Sequence, residues 1–195
     1  LVSREHLKQT NTAQAGDVLY LTKRLGIGVL TTAQKQGKLR PEHATLARDT
    51  MCQMNSAGQH LAQLPGITAM TDVTGFGLMG HLLEMCEGSG VDALIDVAQV
   101  SALEPVAEYI SMGCIPGGTQ RNFASYGQRL GAMTEAQRAL LCDPQTSGGL
   151  LLAVRPEHAA SVEQLLRDQG IEDSLIRPIG ELVSSREEAI RVQLR

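Results

Sequence analysis

Tryptophan is absent from the 195 residues, and aromatic residues make up only 3% of the chain. The core must therefore consist mostly of Leu, Val, Ile, Ala and Met, and the length is sufficient to bury one. No apolar run approaches the roughly 18 residues of a membrane helix. Charged residues occur in Leu1 to Lys8, where a signal peptide would be apolar. We therefore expect neither a membrane span nor a signal peptide.

Basic residues are too few and too scattered to indicate a nucleic-acid partner. The chain has 17 Lys and Arg against 21 Asp and Glu, a net charge of -4, whereas nucleic-acid-binding surfaces usually cluster Lys and Arg. The four cysteines include no CxxC pair, which excludes the common zinc-ribbon spacing. Scattered reduced thiols are typical of a cytoplasmic protein. Cys52 and Cys86 are predicted to be core residues, and no catalytic role is expected for Cys142.

The most informative segment is Thr71-Asp72-Val73-Thr74-Gly75-Phe76-Gly77-Leu78. It lies between an apolar run, Ile67 to Met70, and an amphipathic run, Leu78 to Glu87, which predicts a strand, a glycine-rich turn and a helix. The first N–H groups of a helix suit phosphate oxygens, and glycines allow the backbone to approach them. A carboxylate beside them, Asp72, suits Mg2+, which shares its ligands with phosphates. The alternative is a plain turn capped by Asp72 or Thr74.

Periodicity and turn residues predict the remaining elements. The predicted strands are Val18–Thr22, Val91–Val97, Leu150–Val154 and a terminal hairpin of Ile176–Val183 with Ala189–Leu194. The predicted helices are Val29–Gln36, one helix of about twenty residues from Pro41 to Leu64, Glu104–Met112, Ala136–Leu141 and Pro156–Gln169. Because strands and helices interleave, we expect one α+β domain with a mixed β-sheet covered by helices.

Several segments allow more than one interpretation. Met51 and Met54 are interpreted as core residues of the long helix. The basic loop Lys23–Gly28 is either a plain connector or a phosphate contact through Lys23 or Arg24. Ile115–Leu130 is predicted to be irregular, and such a segment is either functional or a simple surface loop. The loop Cys142–Gly149 suits either an oxygen-rich ligand or a tight turn without one.

Three segments together resemble the C-terminal half of selenophosphate synthetases (selenide, water dikinases). They are Gly16-Asp17 through Lys23-Arg24-Leu25-Gly26, then Thr71 through Leu78, and Asp143-Pro144-Gln145-Thr146-Ser147-Gly148-Gly149-Leu150. The resemblance runs from about Gly16 to the end of the chain. Aminoimidazole ribonucleotide synthetase, thiamine-monophosphate kinase and a hydrogenase-maturation protein have a similar Asp-containing turn. The complete third segment points away from these relatives.

The resemblance implies the C-terminal domain of the aminoimidazole ribonucleotide synthetase-like fold over residues 16–195, after a linker or disordered segment at residues 1–15. It implies that the whole enzyme converts ATP, selenide and water to selenophosphate, AMP and phosphate, as a homodimer that binds ATP and Mg2+. Asp72 is then a metal ligand, and Thr71, Thr74, Gly75 and Gly77 form the nucleotide-binding turn.

The resemblance also implies that the reactive Cys or selenocysteine and its partner Lys lie in the N-terminal half, which is absent here. We therefore expect no catalytic residue in this chain and no activity from it alone. Two other functions stay open. One is an ATP-using synthetase or kinase of the same superfamily that acts on a purine or thiamine precursor. The other is a non-catalytic assembly module.

Overall fold

The computed structural model describes residues 4–186 and 189–195, and it contains six strands and eight α-helices within these ranges. The strands are β1 Val18–Leu21, β2 Ile67–Asp72, β3 Val91–Ile95, β4 Leu150–Val154, β5 Gly180–Ser184 and β6 Val192–Leu194. The helices are α1 Ile27–Lys35, α2 Leu46–Cys52, α3 Ala57–Leu61, α4 Gly77–Ser89, α5 Val106–Ser111, α6 Gly117–Tyr126, α7 Glu135–Leu141 and α8 Ala159–Asp168. None of the helices in the described ranges has the length and apolar content needed to cross a bilayer.

The six strands form one mixed sheet in the order β2-β4-β1-β5-β3-β6. The β3–β6 pair is parallel, and the other four pairs are antiparallel. Strand β4 lies between β1 and β2, and all five of its residues are buried. A continuous apolar run of this kind is typical of a central strand. The predicted α+β class with a mixed sheet covered by helices is confirmed.

Helices cover both faces of the sheet because side chains alternate along each strand. Leu19 and Leu21 of β1 belong to the same core cluster as Leu78 and Leu82 of α4. Tyr20, between them, belongs to a second cluster with residues of α3 and α8. Helices α1, α2 and α5 pack together in a third cluster.

The single long helix predicted from Pro41 to Leu64 is wrong. Helices α2 and α3 are separated at residues 53–56, where Gln53 adopts an extended conformation. Its carbonyl accepts a hydrogen bond from the ammonium group of Lys23, 2.6 Å away. Met54 is 84% exposed in this interruption, so its assignment to the core is also wrong. Met51 does pack against a core cluster.

The irregular segment predicted at Ile115–Leu130 is wrong as well, because residues 117–126 form α6. Pro116 precedes the helix with φ -61° and ψ 144°, a conformation suited to the residue before a helix. The Gly117-Gly118 pair is unfavourable for a helix by itself. Tertiary contacts compensate, since Asn122 and Tyr126 on the buried side of α6 bond to distant backbone carbonyls.

The predicted terminal hairpin is also wrong. Strands β5 and β6 do not pair with each other, because β3 lies between them and pairs with both. Strand β3 has the sequence VDALI and is almost entirely buried, as a strand with two neighbours should be. Part of the connection from β5 to β6, residues 187–188, lies outside the described residues.

The cysteine predictions are half correct. Cys86 is buried, as expected, but Cys52 is exposed because it ends α2 at the interruption before α3. The predicted N-terminal linker lies outside the described residues over positions 1–3. Within its remainder, Lys8 donates a hydrogen bond to the Leu64 carbonyl at 3.0 Å, and Ala13 is buried.

Candidate functional site

The strand, turn and helix predicted around Asp72 are confirmed. Thr71 and Asp72 end β2, and Gly77 begins α4. Asp72 is exposed. Its carboxylate has no hydrogen-bond or ion-pair partner in the described part of the chain. A carboxylate that the protein does not use internally is available to a metal ion or another ligand.

Three successive carbonyl groups of the turn, those of residues 74–76, accept hydrogen bonds from other groups of the protein. The Thr74 carbonyl accepts hydrogen bonds from the backbone N–H groups of Gly77 and Gln145, both at 3.0 Å. The Gly75 carbonyl accepts one from the Asn122 side-chain amide at 2.9 Å. The Phe76 carbonyl accepts one from the Tyr126 hydroxyl at 2.6 Å. The N–H groups of Thr74, Gly75 and Phe76 donate to no acceptor within residues 4–186 and 189–195.

The two glycines of the turn have different surroundings. Gly77 has φ +70°, and a Cβ placed there would meet the Cys142 backbone at 2.8 to 3.0 Å. Gly77 is therefore required by the chain itself. A Cβ at Gly75 would meet no atom of the described residues within 4 Å, and its φ is not positive. The fold supplies no reason for a glycine at position 75, and the space above it is open.

The loop at residues 142–149 packs directly against this turn. The Val73 N–H donates to the Gly149 carbonyl at 2.8 Å. A Cβ at Gly148 would meet the Val73 carbonyl oxygen at 2.2 Å. Two segments that are about seventy residues apart in sequence thus meet backbone to backbone. Sequence reasoning marked both segments but gave no sign that they touch.

Asp143 and Gln145 cap the start of α1, and neither faces solvent. Oε1 of Gln145 accepts hydrogen bonds from the backbone N–H groups of Gly26 and Ile27, both at 3.3 Å. Oδ2 of Asp143 accepts hydrogen bonds from the N–H groups of Gly28 at 3.0 Å and Val29 at 3.4 Å. Burial raises the pKa of Asp143 to about 7. The first N–H groups of α1 are therefore satisfied by the protein's own side chains and are not available to a phosphate.

The basic loop after β1 is also engaged internally. Nζ of Lys23 donates to the backbone carbonyls of Gln53 and Ser147 at 2.6 and 2.7 Å, with Thr50 at 3.5 Å. Burial lowers the pKa of Lys23. Arg24 pairs with Glu172. The loop is thus a structural connector, and the interpretation as a phosphate contact is not supported.

His81 is buried beside the turn. Its Nε2 lies 3.1 Å from Oγ1 of Thr74, and its ring centroid lies 5.8 Å from that of Phe76. Sequence reasoning missed Asn122 and Tyr126. Their spacing of four residues is the available signal, because it places both on one face of a helix. That signal has meaning only once the segment is known to be helical.

The donor set of the turn suits a hard cation only in part. No group of three or more His, Cys, Asp or Glu side chains that could hold a metal occurs in the described ranges. Mg2+ prefers oxygen ligands in an octahedral arrangement and usually shares them with water and phosphate. Asp72 fits as a single carboxylate ligand of such an ion, with the other ligands supplied from outside this turn.

The chain matches a known family over most of its length. Residues 14–193 match the family described as AIR synthase related protein, C-terminal domain. The chain is 56% identical over 185 residues to a selenide, water dikinase of Colwellia psychrerythraea, covering 95% of this chain and 53% of that protein. It is 54% identical over 195 residues to the selenide, water dikinase of Escherichia coli O9:H4, covering 100% of this chain and 55% of that protein. The chain thus spans about half the length of the relatives it matches, and the resemblance stated from the three segments is confirmed.

Solved structures share the fold at low sequence identity. Thiamine-monophosphate kinase from Stenotrophomonas maltophilia K279a aligns with a TM-score of 0.66 at 15% identity, covering 99% of this chain and 54% of that one. Hydrogenase maturation protein HypE in complex with ATP aligns with a TM-score of 0.66 at 20% identity, covering 92% of this chain and 46% of that one. These alignments confirm the predicted aminoimidazole ribonucleotide synthetase-like fold.

Proposed function

Since the chain belongs to the family of C-terminal domains of AIR synthase related proteins, we propose that it is the C-terminal domain of a selenide, water dikinase. The whole protein then converts ATP, selenide and water to selenophosphate, AMP and phosphate. The domain comprises residues 16–195, and residues 1–15 link it to the preceding half. Identity of 50 to 58% to selenide, water dikinases over most of the chain supports this assignment.

The observation that carries the proposal is the turn at residues 71–77. Among the residues that the structure describes, 4–186 and 189–195, neither the exposed carboxylate of Asp72 nor the N–H groups of Thr74, Gly75 and Phe76 have a partner. The N–H groups suit phosphate oxygens, and the carboxylate suits the cation that accompanies them. The open space above Gly75 accommodates the approach of a ligand to the backbone.

We assign Asp72 as a ligand of Mg2+ and the turn residues Thr71, Thr74, Gly75 and Gly77 to the binding of ATP phosphates. When bound, Mg2+ neutralises charge on the phosphate oxygens. Asp72 holds its carboxylate at the end of a paired strand. The turn orients the phosphates, and Thr74 presents a hydroxyl whose position is set by His81. This chain supplies binding and orientation.

The remaining features of the proposal are those that the resemblance of the three sequence segments implies. By that resemblance, the reactive Cys or selenocysteine lies in the N-terminal half of the whole protein, and we therefore expect no catalysis by this chain alone. The whole protein is a homodimer in the cytoplasm and uses ATP and selenide as substrates. Cys86, Cys114 and Cys142 are buried, and a Cβ at Gly77 would lie 2.8 to 3.0 Å from the Cys142 backbone.

The test is phosphorus NMR of the complete protein that carries this sequence, with ATP and Mg2+, in the presence and absence of selenide. We expect selenide-dependent AMP together with a selenophosphate resonance. ADP in place of AMP, or turnover that ignores selenide, would assign the domain to another kinase or synthetase of the superfamily.

Asp72→Asn in the same protein tests the role of the turn. We expect a loss of activity of about 10²- to 10³-fold, as for removal of other groups that stabilise charge in a transition state. Asp168→Asn, at an exposed carboxylate on α8, is the matched control and should keep full activity. Full activity of Asp72→Asn would show that the turn holds no essential metal and would favour an assembly role.

A further inference from the structure

The direction of the N–H groups in the turn is decided by residues outside the turn. Three successive carbonyls, those of Thr74, Gly75 and Phe76, accept hydrogen bonds from the interior of the protein. A trans peptide is planar, so its carbonyl and its N–H point in opposite directions. When the Thr74 and Gly75 carbonyls face inward, the N–H groups of Gly75 and Phe76 must face outward.

Helix α6 supplies the hydrogen-bond donors for two of these three carbonyls. Asn122 and Tyr126 are separated by four residues and therefore lie on one face of the helix. The Asn122 amide donates both to the Gly75 carbonyl at 2.9 Å and to the Cys142 carbonyl at 3.1 Å, so that it joins the turn to the loop at residues 142–149. Both side chains are buried, with Asn122 at 9% exposure and Tyr126 at 4%.

Each of the two residues acts on a particular peptide group. Asn122 holds the peptide between Gly75 and Phe76, and so directs the Phe76 N–H outward. Tyr126 holds the next peptide by its carbonyl at 2.6 Å. The N–H of that peptide belongs to Gly77 and donates to the Thr74 carbonyl at 3.0 Å. By fixing this peptide, Tyr126 holds the Gly77 N–H against the Thr74 carbonyl. The inward direction of the Thr74 carbonyl in turn directs the Gly75 N–H outward.

We propose that Asn122 and Tyr126 are positioning residues that preorganise the N–H groups of Gly75 and Phe76 to bind phosphate oxygens. The proposal rests on the function proposed above and adds to it the element, α6, that sets the geometry of the turn. Donors fixed before the ligand arrives lose no freedom on binding. The relevant ligand chemistry is a polyphosphate chain, for which inorganic pyrophosphate is the simplest probe.

The experiment is a titration of the 15N-labelled chain with pyrophosphate, followed by the amide resonances of Gly75 and Phe76. In the unmodified chain we expect both resonances to shift with the ligand. Tyr126→Phe removes one hydroxyl and keeps the ring, and Asn122→Ala removes both amide donors. Each variant should weaken pyrophosphate binding about three- to tenfold, the factor that one hydrogen bond contributes.

Tyr109→Phe is the matched control. Tyr109 is fully buried, and its hydroxyl bonds to the Arg40 N–H at 3.0 Å and to the His43 ring at 2.7 Å, in a different core cluster. It should lose stability much as Tyr126→Phe does but keep the affinity for pyrophosphate. The unfolding midpoint of every variant is measured beside its affinity, so that loss of fold is separated from loss of binding.

The outcomes distinguish the two proposals. If the unmodified chain binds pyrophosphate at Gly75 and Phe76 but folded Tyr126→Phe and Asn122→Ala bind it equally well, the positioning role is wrong and the proposed function stands. Equal weakening by Tyr109→Phe would also overturn the positioning role, because it would reflect general stability. If the two amides do not respond in the unmodified chain, the phosphate turn itself is refuted and the positioning role with it.

Discussion

The two glycines of the turn at residues 71–77 should respond to alanine in opposite ways. Gly77→Ala forces a left-handed residue, φ +70°, and places a methyl group 2.8 to 3.0 Å from the Cys142 backbone. Gly75→Ala does neither. We therefore expect Gly77→Ala to destabilise the fold strongly, and Gly75→Ala to leave the free energy of unfolding within about 0.5 kcal/mol of the unmodified chain.

Gly90→Ala allows the two effects at Gly77 to be separated. Gly90 follows α4 with φ +69°, almost the same backbone conformation, but a Cβ there would meet no atom within 4 Å in the part of the chain that the structure describes. The left-handed conformation alone costs about 1 to 2 kcal/mol, and this is the expected loss for Gly90→Ala. Gly77→Ala adds a contact with backbone that cannot move aside cheaply, at about 1 to 3 kcal/mol. Its total loss is therefore about 2 to 5 kcal/mol.

The assay is urea unfolding of the three variants and the unmodified chain under one set of conditions, with the slope on urea checked for constancy. The same variants are titrated with pyrophosphate. Gly75→Ala should be folded yet bind more weakly, because its methyl group occupies the space of the ligand. Equal losses of stability for Gly77→Ala and Gly90→Ala, within about 0.5 kcal/mol, would refute the close approach of the turn to the loop at residues 142–149.

Two further predictions concern buried and exposed side chains. Burial raises the pKa of Asp143 from 3.8 to about 7. Between these two pH values the folded chain holds a proton that the unfolded chain releases. The free energy of unfolding should therefore fall by roughly 2 to 3 kcal/mol from pH 5 to pH 8. Asp143→Asn should abolish most of this fall in urea unfolding, and an unchanged pH profile would contradict the raised pKa of the buried carboxyl. An aromatic disulfide reagent should quickly modify one thiol of the native chain, that of the exposed Cys52, and all four thiols after denaturation. Rapid reaction of more than one thiol in the native chain would contradict the burial of Cys86, Cys114 and Cys142.

The loop at residues 142–149 has a structural role that its sequence did not indicate. Its Asp143 and Gln145 satisfy the first N–H groups of α1, and the Gln145 backbone holds the Thr74 carbonyl. The loop thus connects α1 to the turn at residues 71–77, and both Asp143 and Gln145 are buried. A polar motif with a carboxylate was open to interpretation as a ligand site, and the structure uses that carboxylate as a helix cap.

The amino-acid sequence by itself determined the features that depend on near neighbours. The strand, the turn and α4 could all be predicted from adjacent residues: the apolar run Ile67–Met70, the glycines at positions 75 and 77, and the amphipathic run after them. The continuous apolar run Leu150–Val154 was sufficient for the central strand. Periodicity and turn chemistry act over a few residues, and they can therefore be read along the chain.

Only the tertiary structure decided which groups face each other. Asn122 is 47 residues from Gly75, and Gln145 is 119 residues from Gly26. Such partners are brought together by the sheet order and not by local propensity. The same reason accounts for the helix at Gly117–Tyr126, which two glycines disfavour and distant hydrogen bonds stabilise. The outward N–H groups of the turn are likewise a property of the packed fold, because their direction follows from carbonyls held by residues far away in sequence.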